Sequence, residues 1–232
     1  MEPELRRDRL LSARLYFVCD AGFEPVELDA LLGQALAGGV DVIQLRDKSA
    51  SVGALRAAAS VFASAAAEHG ALFFINDDPA LAAECGADGV HLGQDDVGVE
   101  EARGRLAPGA LIGLSSHEPD QFDAAMAASS ARRPDYISVG PVWETPTKPG
   151  RPASGLDYVR YAARSARGGD LPWFAIGGIN PENVGEVVAA GASRAVVVRA
   201  IRNAEDPAAV ARALRSVLSP DREDRDAGIG AR

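Results

Sequence analysis

The chain has 232 residues, 47% of them hydrophobic, and a formal net charge of −9 from 24 Lys and Arg against 33 Asp and Glu. That size and apolar content suffice for one large core, and the acidic balance argues against a nucleic-acid-binding surface or an anchor to anionic membrane. No run approaches the roughly 18 apolar residues of a membrane helix, and Met1 to Arg9 is charged with no apolar signal region, so the expectation is a soluble cytoplasmic protein.

In chain order, Leu15 to Asp20 reads as a strand, followed by a helix from Pro25 to Gly38 with Leu28, Leu31, Leu32, Ala35 and Leu36 at helical spacing. Val40 to Leu45 is the second strand, and an alanine-rich helix runs from Val52 to Glu68. His69-Gly70 ends that helix, and Ala71 to Ile75 is the third strand. Pro79 opens a short helix to Gly86. Then come a strand at Asp88 to His91, a short helix at Glu100 to Leu106, a strand at Leu111 to Leu114 and a helix at Pro119 to Ser130. Tyr136 to Val139 is the sixth strand. An irregular segment from Gly140 to Gly155, rich in proline, threonine and glycine, follows it; loops of that length in a compact domain are commonly functional. A helix over Leu156 to Arg167, a strand over Trp173 to Ile176, a helix from Asn180 to Ala190, a strand over Ala195 to Val198 and a helix over Pro207 to Leu218 complete the pattern.

Eight strands alternating with about eight helices predict a single (β/α)8 TIM barrel over residues 1–218. A doubly wound open sheet is the competing architecture, but no strand is followed by a GxGxxG turn. Residues 219–232 are polar and charged, and a disordered tail is expected there.

In a TIM barrel the chemistry lies just past the C-terminal ends of the strands. Gln44, Arg46 and Lys48 are spaced by two, which puts them on one face while Ile43 and Leu45 point to the helices. An amide within an apolar strand also needs a partner. Asn76 and Asp77 stand at the tip of the third strand and Asp96 just past the fourth. Two carboxylates on neighbouring strands repel unless a proton or cation lies between them, and oxygen ligands of this kind suit Mg2+. Asp78 and Asp95 read as caps or solvent-facing acids. Gly177-Gly178 and Val198-Arg199-Ala200 fall where barrels build phosphate sites from backbone amides. Thr145, Thr147 and Lys148 offer two hydroxyls and a cation from the irregular loop as a second anion grip. His91 reads as a hydrogen-bonded core histidine, His117 lies nearer the rim, and Cys19 and Cys85 read as buried free thiols.

Together QLRDK at 44–48, NDD at 76–78, HLGQDD at 91–96, GLSSH at 113–117, GPVWETPTKPG at 140–150 and AIGGIN at 175–180 resemble the thiamine-phosphate synthase family, in that family's order. The resemblance implies a transferase that joins a small-molecule pyrimidine diphosphate (4-amino-5-hydroxymethyl-2-methylpyrimidine diphosphate) to a thiazole phosphate (4-methyl-5-(2-hydroxyethyl)thiazole phosphate), releasing pyrophosphate. It implies that Gln44, Arg46, Lys48 and Asn76 hold the diphosphate and that Asp77 and Asp96 bind Mg2+. Ser115 and Lys148 would meet the pyrophosphate or pyrimidine, and Thr145, Thr147 and Gly178 the thiazole phosphate end, with the amides at Val198 and Arg199 beside it. Arg199 stands where the family commonly has serine, and Trp143-Glu144 replaces a more usual aromatic-proline pair. Two alternatives are a thiazole tautomerase-like relative using His117, from which the aspartate pair distinguishes this chain, and a non-catalytic ligand-binding regulator. Homo-oligomerisation is left open.

Overall fold

The structure is a computed structural model that describes residues 1–145, 152–167 and 169–218. Its elements are α1 (Pro3–Ser12), β1 (Leu15–Cys19), α2 (Pro25–Ala37), β2 (Val42–Leu45), α3 (Val52–His69), β3 (Leu72–Asn76), α4 (Pro79–Glu84), β4 (Gly89–Leu92) and α5 (Val99–Arg105). They continue with β5 (Leu111–Ser116), α6 (Pro119–Ala127), β6 (Tyr136–Val139), α7 (Gly155–Ser165), β7 (Trp173–Ile176), α8 (Val184–Ala189), β8 (Ala195–Val197), α9 (Arg199–Arg202) and α10 (Pro207–Leu218). Each strand pairs in parallel with the next and β8 pairs with β1, closing a barrel. The expected (β/α)8 TIM barrel is therefore what the chain forms. The tail expected at residues 219–232 lies outside the described residues.

Alternation along the strands sorts the core into two shells. Leu15, Phe17 and Cys19 of β1 and Ile43 and Leu45 of β2 pack outward with the helices. Tyr16, Val18, Val42, Leu72, Phe74, Leu111, Tyr136 and Phe174 fill the interior. At its centre Tyr16, Phe74, Tyr136 and Phe174 meet with ring centroids 5.5 to 6.0 Å apart. Each such ring pair contributes about 0.5–1.5 kcal/mol beyond its buried area, so the barrel is plugged rather than hollow. Above this plug the inward positions turn polar: Gln44, Asn76, His91, Ser115 and Ser138.

The N-terminal face carries a feature that the charged N-terminal sequence conceals. Helix α1 has one buried residue, Leu10, which joins the interior cluster. Polar contacts hold the rest. Arg6 Nε donates to Asp88 at 2.8 Å, the Arg9 guanidinium donates to the Gly70 carbonyl, and Arg194 donates to the carbonyls of Leu11 and Ala13 at 2.8 and 3.1 Å. Burial holds the Arg194 guanidinium down to about 10.

Asp41, Asp88 and Asp135 each immediately precede an even-numbered strand and accept backbone N–H bonds from the preceding odd one: Leu15 at 3.0 Å, Phe73 at 3.0 Å and Ile112 at 2.8 Å. Each also pairs with an arginine, respectively Arg215, Arg6 and Arg103. These acids tie strand starts together.

Several predicted boundaries move by one to three residues, among them the helix expected to Ser130, which ends at Ala127, and the strand expected to Leu114, which runs to Ser116; the largest shift is at Asn180. The helix expected from Asn180 begins at Val184, because Asn180 Oδ1 accepts the N–H groups of Glu182 and Asn183 at 2.9 and 3.1 Å. The asparagine builds a turn of its own in place of capping a helix.

Candidate active site

The strand tips and the loops after them enclose a cavity of about 660 Å³. Gln44, Arg46, Lys48, Asn76, Asp77, Asp96, Ser115, Thr145, Gly178, Val198 and Arg199 all line it. Thr147 and Lys148 lie outside the described residues. His117, expected near the rim, lines it too, and the structure adds His91, Gln94, Ser138, Asn180 and Asp95, the last read from the sequence as a cap or solvent-facing acid. The inward alternation of β4 and β6 is the sequence signal that points to His91 and Ser138.

Gln44 is 3% exposed, and its Nε2 has no hydrogen-bond partner among the described residues. A buried donor left unpaired costs about 1–3 kcal/mol, which fits a strand built to meet a ligand. Two residues on, Arg46 is anchored through its backbone N–H to the Cys19 carbonyl at 2.8 Å. The next turn is organised by Asp47, whose Oδ1 accepts from Ser49 N, Ser49 Oγ and Ala50 N at 3.0, 2.7 and 3.1 Å. The Ser49 hydroxyl bond leads in holding the Asp47 carboxyl below its ordinary range. Lys48 then reaches across to Asp77, Nζ to Oδ2 2.8 Å.

Asp77 is the one non-glycine residue with positive φ among the described residues, at 62°. Its N–H donates to the His91 carbonyl at 2.8 Å, which holds the turn against a conformation that costs most side chains about 1 kcal/mol or more. Strain at a strand tip that presents a carboxylate is typical of a functional position. Asp96 Oδ2 accepts the Gly93 N–H at 2.7 Å. Asp78, by contrast, caps α4 through Ala80 and Leu81 N–H at 2.9 and 3.0 Å, as expected.

His91 is 9% exposed and hydrogen-bonded to Tyr136 and Ser115, so the core reading holds, yet it also lines the cavity. His117 Nδ1 lies 2.6 Å from the Gly140 carbonyl. That oxygen can only accept, so Nδ1 carries the proton. Cys19 is buried, but Cys85 is only half-buried, short of the expected burial. Burial leads in raising both thiols, Cys19 to about 12, so neither is a ready nucleophile.

Comparison with known proteins supplies the context for this set. The thiamine monophosphate synthase family (TMP-TENI) matches residues 15–201. The chain belongs to this family. Thiamine-phosphate synthase of Mycobacterium tuberculosis is 52% identical over 225 residues, spanning 93% of this chain and 99% of its own. The protein of that name from Acidothermus cellulolyticus is 50% identical over 202 residues, with 87% and 93% covered. Among solved structures, thiamine phosphate pyrophosphorylase from Pyrococcus furiosus superposes with a TM-score of 0.76 at 29% identity, covering 92% of this chain and 97% of its own.

In this member of the thiamine monophosphate synthase family the glycine pair after β7 serves the loop as well as the cavity. Gly177 and Gly178 have φ of 109° and 71°, and a Cβ on Gly177 would lie 2.6 Å from Pro141 Cα. The close approach lets Val142 N and Trp143 N donate to the carbonyls of Ile176 and Gly177 at 2.8 and 3.2 Å. On the return, Ser154 N and Gly155 N donate to Pro141 and Val142 at 2.7 and 3.2 Å. Both stems of the irregular loop are thus fixed, and Trp143 packs against the outer core. Beside it, α9 is held by Arg202, which donates twice to Asp20 at 2.5 and 3.0 Å and sits 4.7 Å over Phe23. Arg199 opens α9, exposed at the cavity edge.

Proposed function

We propose that the cavity condenses 4-amino-5-hydroxymethyl-2-methylpyrimidine diphosphate with 4-methyl-5-(2-hydroxyethyl)thiazole phosphate to give thiamine phosphate and pyrophosphate. Its relatives at about half identity over nearly the full chain carry the name of that enzyme, and the observation that carries the reading is the buried Gln44 Nε2, without a hydrogen-bond partner among the described residues, beside Arg46 and Lys48.

The chemistry asks little covalent work of the protein. The bond between the pyrimidine methylene and the diphosphate oxygen breaks, its electron pair leaving with pyrophosphate. The resulting cation is stabilised by the ring amino group, and the thiazole nitrogen lone pair forms the new C–N bond. Gln44, Asn76 and Ser115 orient the diphosphate. Arg46, Lys48 and, by the family motif, Lys148 neutralise the charge that grows on it, which stabilises the transition state electrostatically. At the other end, Thr145, Thr147 and the backbone at Gly178, Val198 and Arg199 take the thiazole phosphate, with the Arg199 side chain adding a cation at the rim. No thiolate or activated serine is required.

The donor set also fits Mg2+. Asp77 and Asp96 offer carboxylate oxygens on the same cavity, and the ammonium of Lys48 already sits against Asp77, which marks a position that favours positive charge. Mg2+ takes one or two carboxylates and completes its shell with water and phosphate, which two aspartates beside a diphosphate site would suit. When bound, such an ion supplies Lewis-acid stabilisation of the leaving diphosphate.

The test is incubation of the purified chain with both substrates and Mg2+, with thiamine phosphate and pyrophosphate quantified. The two products are expected in equal amounts. Tight binding of both substrates with no product would overturn the reading in favour of a ligand-binding regulator.

A further inference from the structure

His91 on β4, Gly113 on β5 and Tyr136 on β6 are register partners across three neighbouring strands. The middle one has no side chain, and a Cβ there would lie 2.1 Å from Tyr136 Cζ and 2.4 Å from its Oη. Gly113 therefore opens a window through which the outer two rings meet. They stack with centroids 5.5 Å apart at 24°, and the Tyr136 hydroxyl lies 2.8 Å from His91 Nδ1. Inward, the same hydroxyl lies 3.0 Å from that of Tyr16. Toward the cavity, His91 Nε2 lies 3.0 Å from Ser115 Oγ and 3.4 Å from Ser138 Oγ. A line of polar groups thus runs from the centre of the aromatic plug to the cavity floor.

The order of protons along this line follows from the acceptors it offers. Burial raises both phenols well above their ordinary range, so both keep their protons. Tyr16 is 1% exposed, and the Tyr136 oxygen is its one hydrogen-bond acceptor among the described residues. If Tyr16 donates to Tyr136, the Tyr136 proton goes to His91 Nδ1 and both phenols are satisfied. In the reverse order His91 donates to Tyr136 and Tyr136 to Tyr16, which strands the Tyr16 proton in the core with no acceptor. Buried donors are rarely left so. The outward order makes Nδ1 of the neutral imidazole an acceptor and leaves its proton on Nε2, which donates to the nearer serine. The Ser115 hydroxyl, already accepting from His91, then turns its own proton elsewhere. Its backbone is steadied by Gln94 Nε2, which donates to the Ser115 carbonyl at 2.6 Å.

We propose that the buried Tyr16–Tyr136 pair holds His91 in its Nε2–H form, making His91 a positioning residue that aims the Ser115 hydroxyl proton into the cavity, at the leaving diphosphate. The part concerning the diphosphate rests on the function proposed above; the tautomer does not. The first measurement is nitrogen NMR of the full chain labelled with 15N-histidine, with the His91 signals identified by their loss in His91→Gln. The expected result is a proton on Nε2 and none on Nδ1; a proton on Nδ1 overturns the proposal. In Tyr136→Phe the preference for Nε2–H should be lost, and an unchanged tautomer would likewise overturn it. Should that variant not fold, the wild-type tautomer decides alone.

The second measurement separates positioning from general damage. Tyr136→Phe should lower kcat about tenfold with little change in KM. In a Ser115→Ala background it should lower kcat no further, whereas losses that multiply would show the two residues acting independently and sink the proposal. If the wild-type chain makes no thiamine phosphate, the functional reading fails while the NMR result still judges the tautomer.

Discussion

The two faces of the barrel put the same residue type to opposite uses. At the N-terminal face Asp41, Asp88 and Asp135 each spend their oxygens on a neighbouring strand's N–H and an arginine. At the C-terminal face Asp77 and Asp96 line an open cavity, the first paired with Lys48 and the second accepting the Gly93 N–H, with oxygen capacity to spare. A carboxylate whose lone pairs the fold consumes contributes stability. One held in a strained turn at φ 62°, with oxygen capacity beyond its pair with Lys48 among the described residues, is kept for something else.

That contrast can be broken by exchanging the consequences. Asp77→Asn keeps a side chain that tolerates positive φ while removing the charge. Turnover should fall about a thousandfold, close to 4 kcal/mol of transition-state stabilisation, with the melting temperature unchanged. Chelation with EDTA should abolish product formation and Mg2+ restore it. Retained turnover in either experiment would remove the metal from the account. Asp88→Ala should do the reverse. It leaves Arg6 and the Phe73 N–H without their acceptor in a pair whose side chains are each 12% exposed, costing about 3 kcal/mol. In a domain of this size that lowers the melting temperature by about 6–12 °C, and kcat of the folded protein should stay near wild type. Asp41→Ala should be milder, about 1 kcal/mol, because its pair with Arg215 is more exposed, at 31% and 27%. A thermal melt beside a pyrophosphate-release assay separates the two classes.

Much of this division is legible in the amino-acid sequence. The apolar runs that stop on Gln44-Leu45-Arg46, Asn76-Asp77 and Gly177-Gly178 announce strand tips because a buried parallel strand needs continuous apolarity and its active end cannot supply it. The N-terminal face is not legible in that way. Helix α1 buries little besides Leu10 and is held by arginines donating to carbonyls, so it has no apolar period to read. Likewise Asp41, Asp88 and Asp135 look like loop acids until strand pairing shows which N–H groups they serve. His91 illustrates the remaining gap. Its position in an apolar strand marks it as a core residue, but only the register with Gly113 and Tyr136 shows that the core and the cavity floor meet there.

The smallest effect tests whether an acid can belong to both classes. Asp47 sits between Arg46 and Lys48, lies outside the cavity lining and, like the N-terminal acids, gives its oxygen to the fold, here to Ser49 and Ala50. Its folded carboxyl is held below the ordinary value, chiefly by the Ser49 hydroxyl. The stability it contributes is therefore fully present above the unfolded value of about 4 and is lost as pH falls through the lower folded value. Because the group is partly exposed, that contribution is well under 1 kcal/mol. Asp47→Asn should scarcely move the melting temperature at neutral pH. It should nevertheless raise KM for the pyrimidine diphosphate about threefold, since the turn that aims Lys48 loosens when the carboxylate is weakened to an amide. As pH falls below about 4 the wild-type protein should lose stability that the variant does not lose, so their melting curves converge in acid. A variant that lowers the melting temperature without touching KM would place Asp47 wholly with the N-terminal acids; one that shifts KM alone shows a carboxylate serving the fold of a single loop so that its neighbours can serve the ligand.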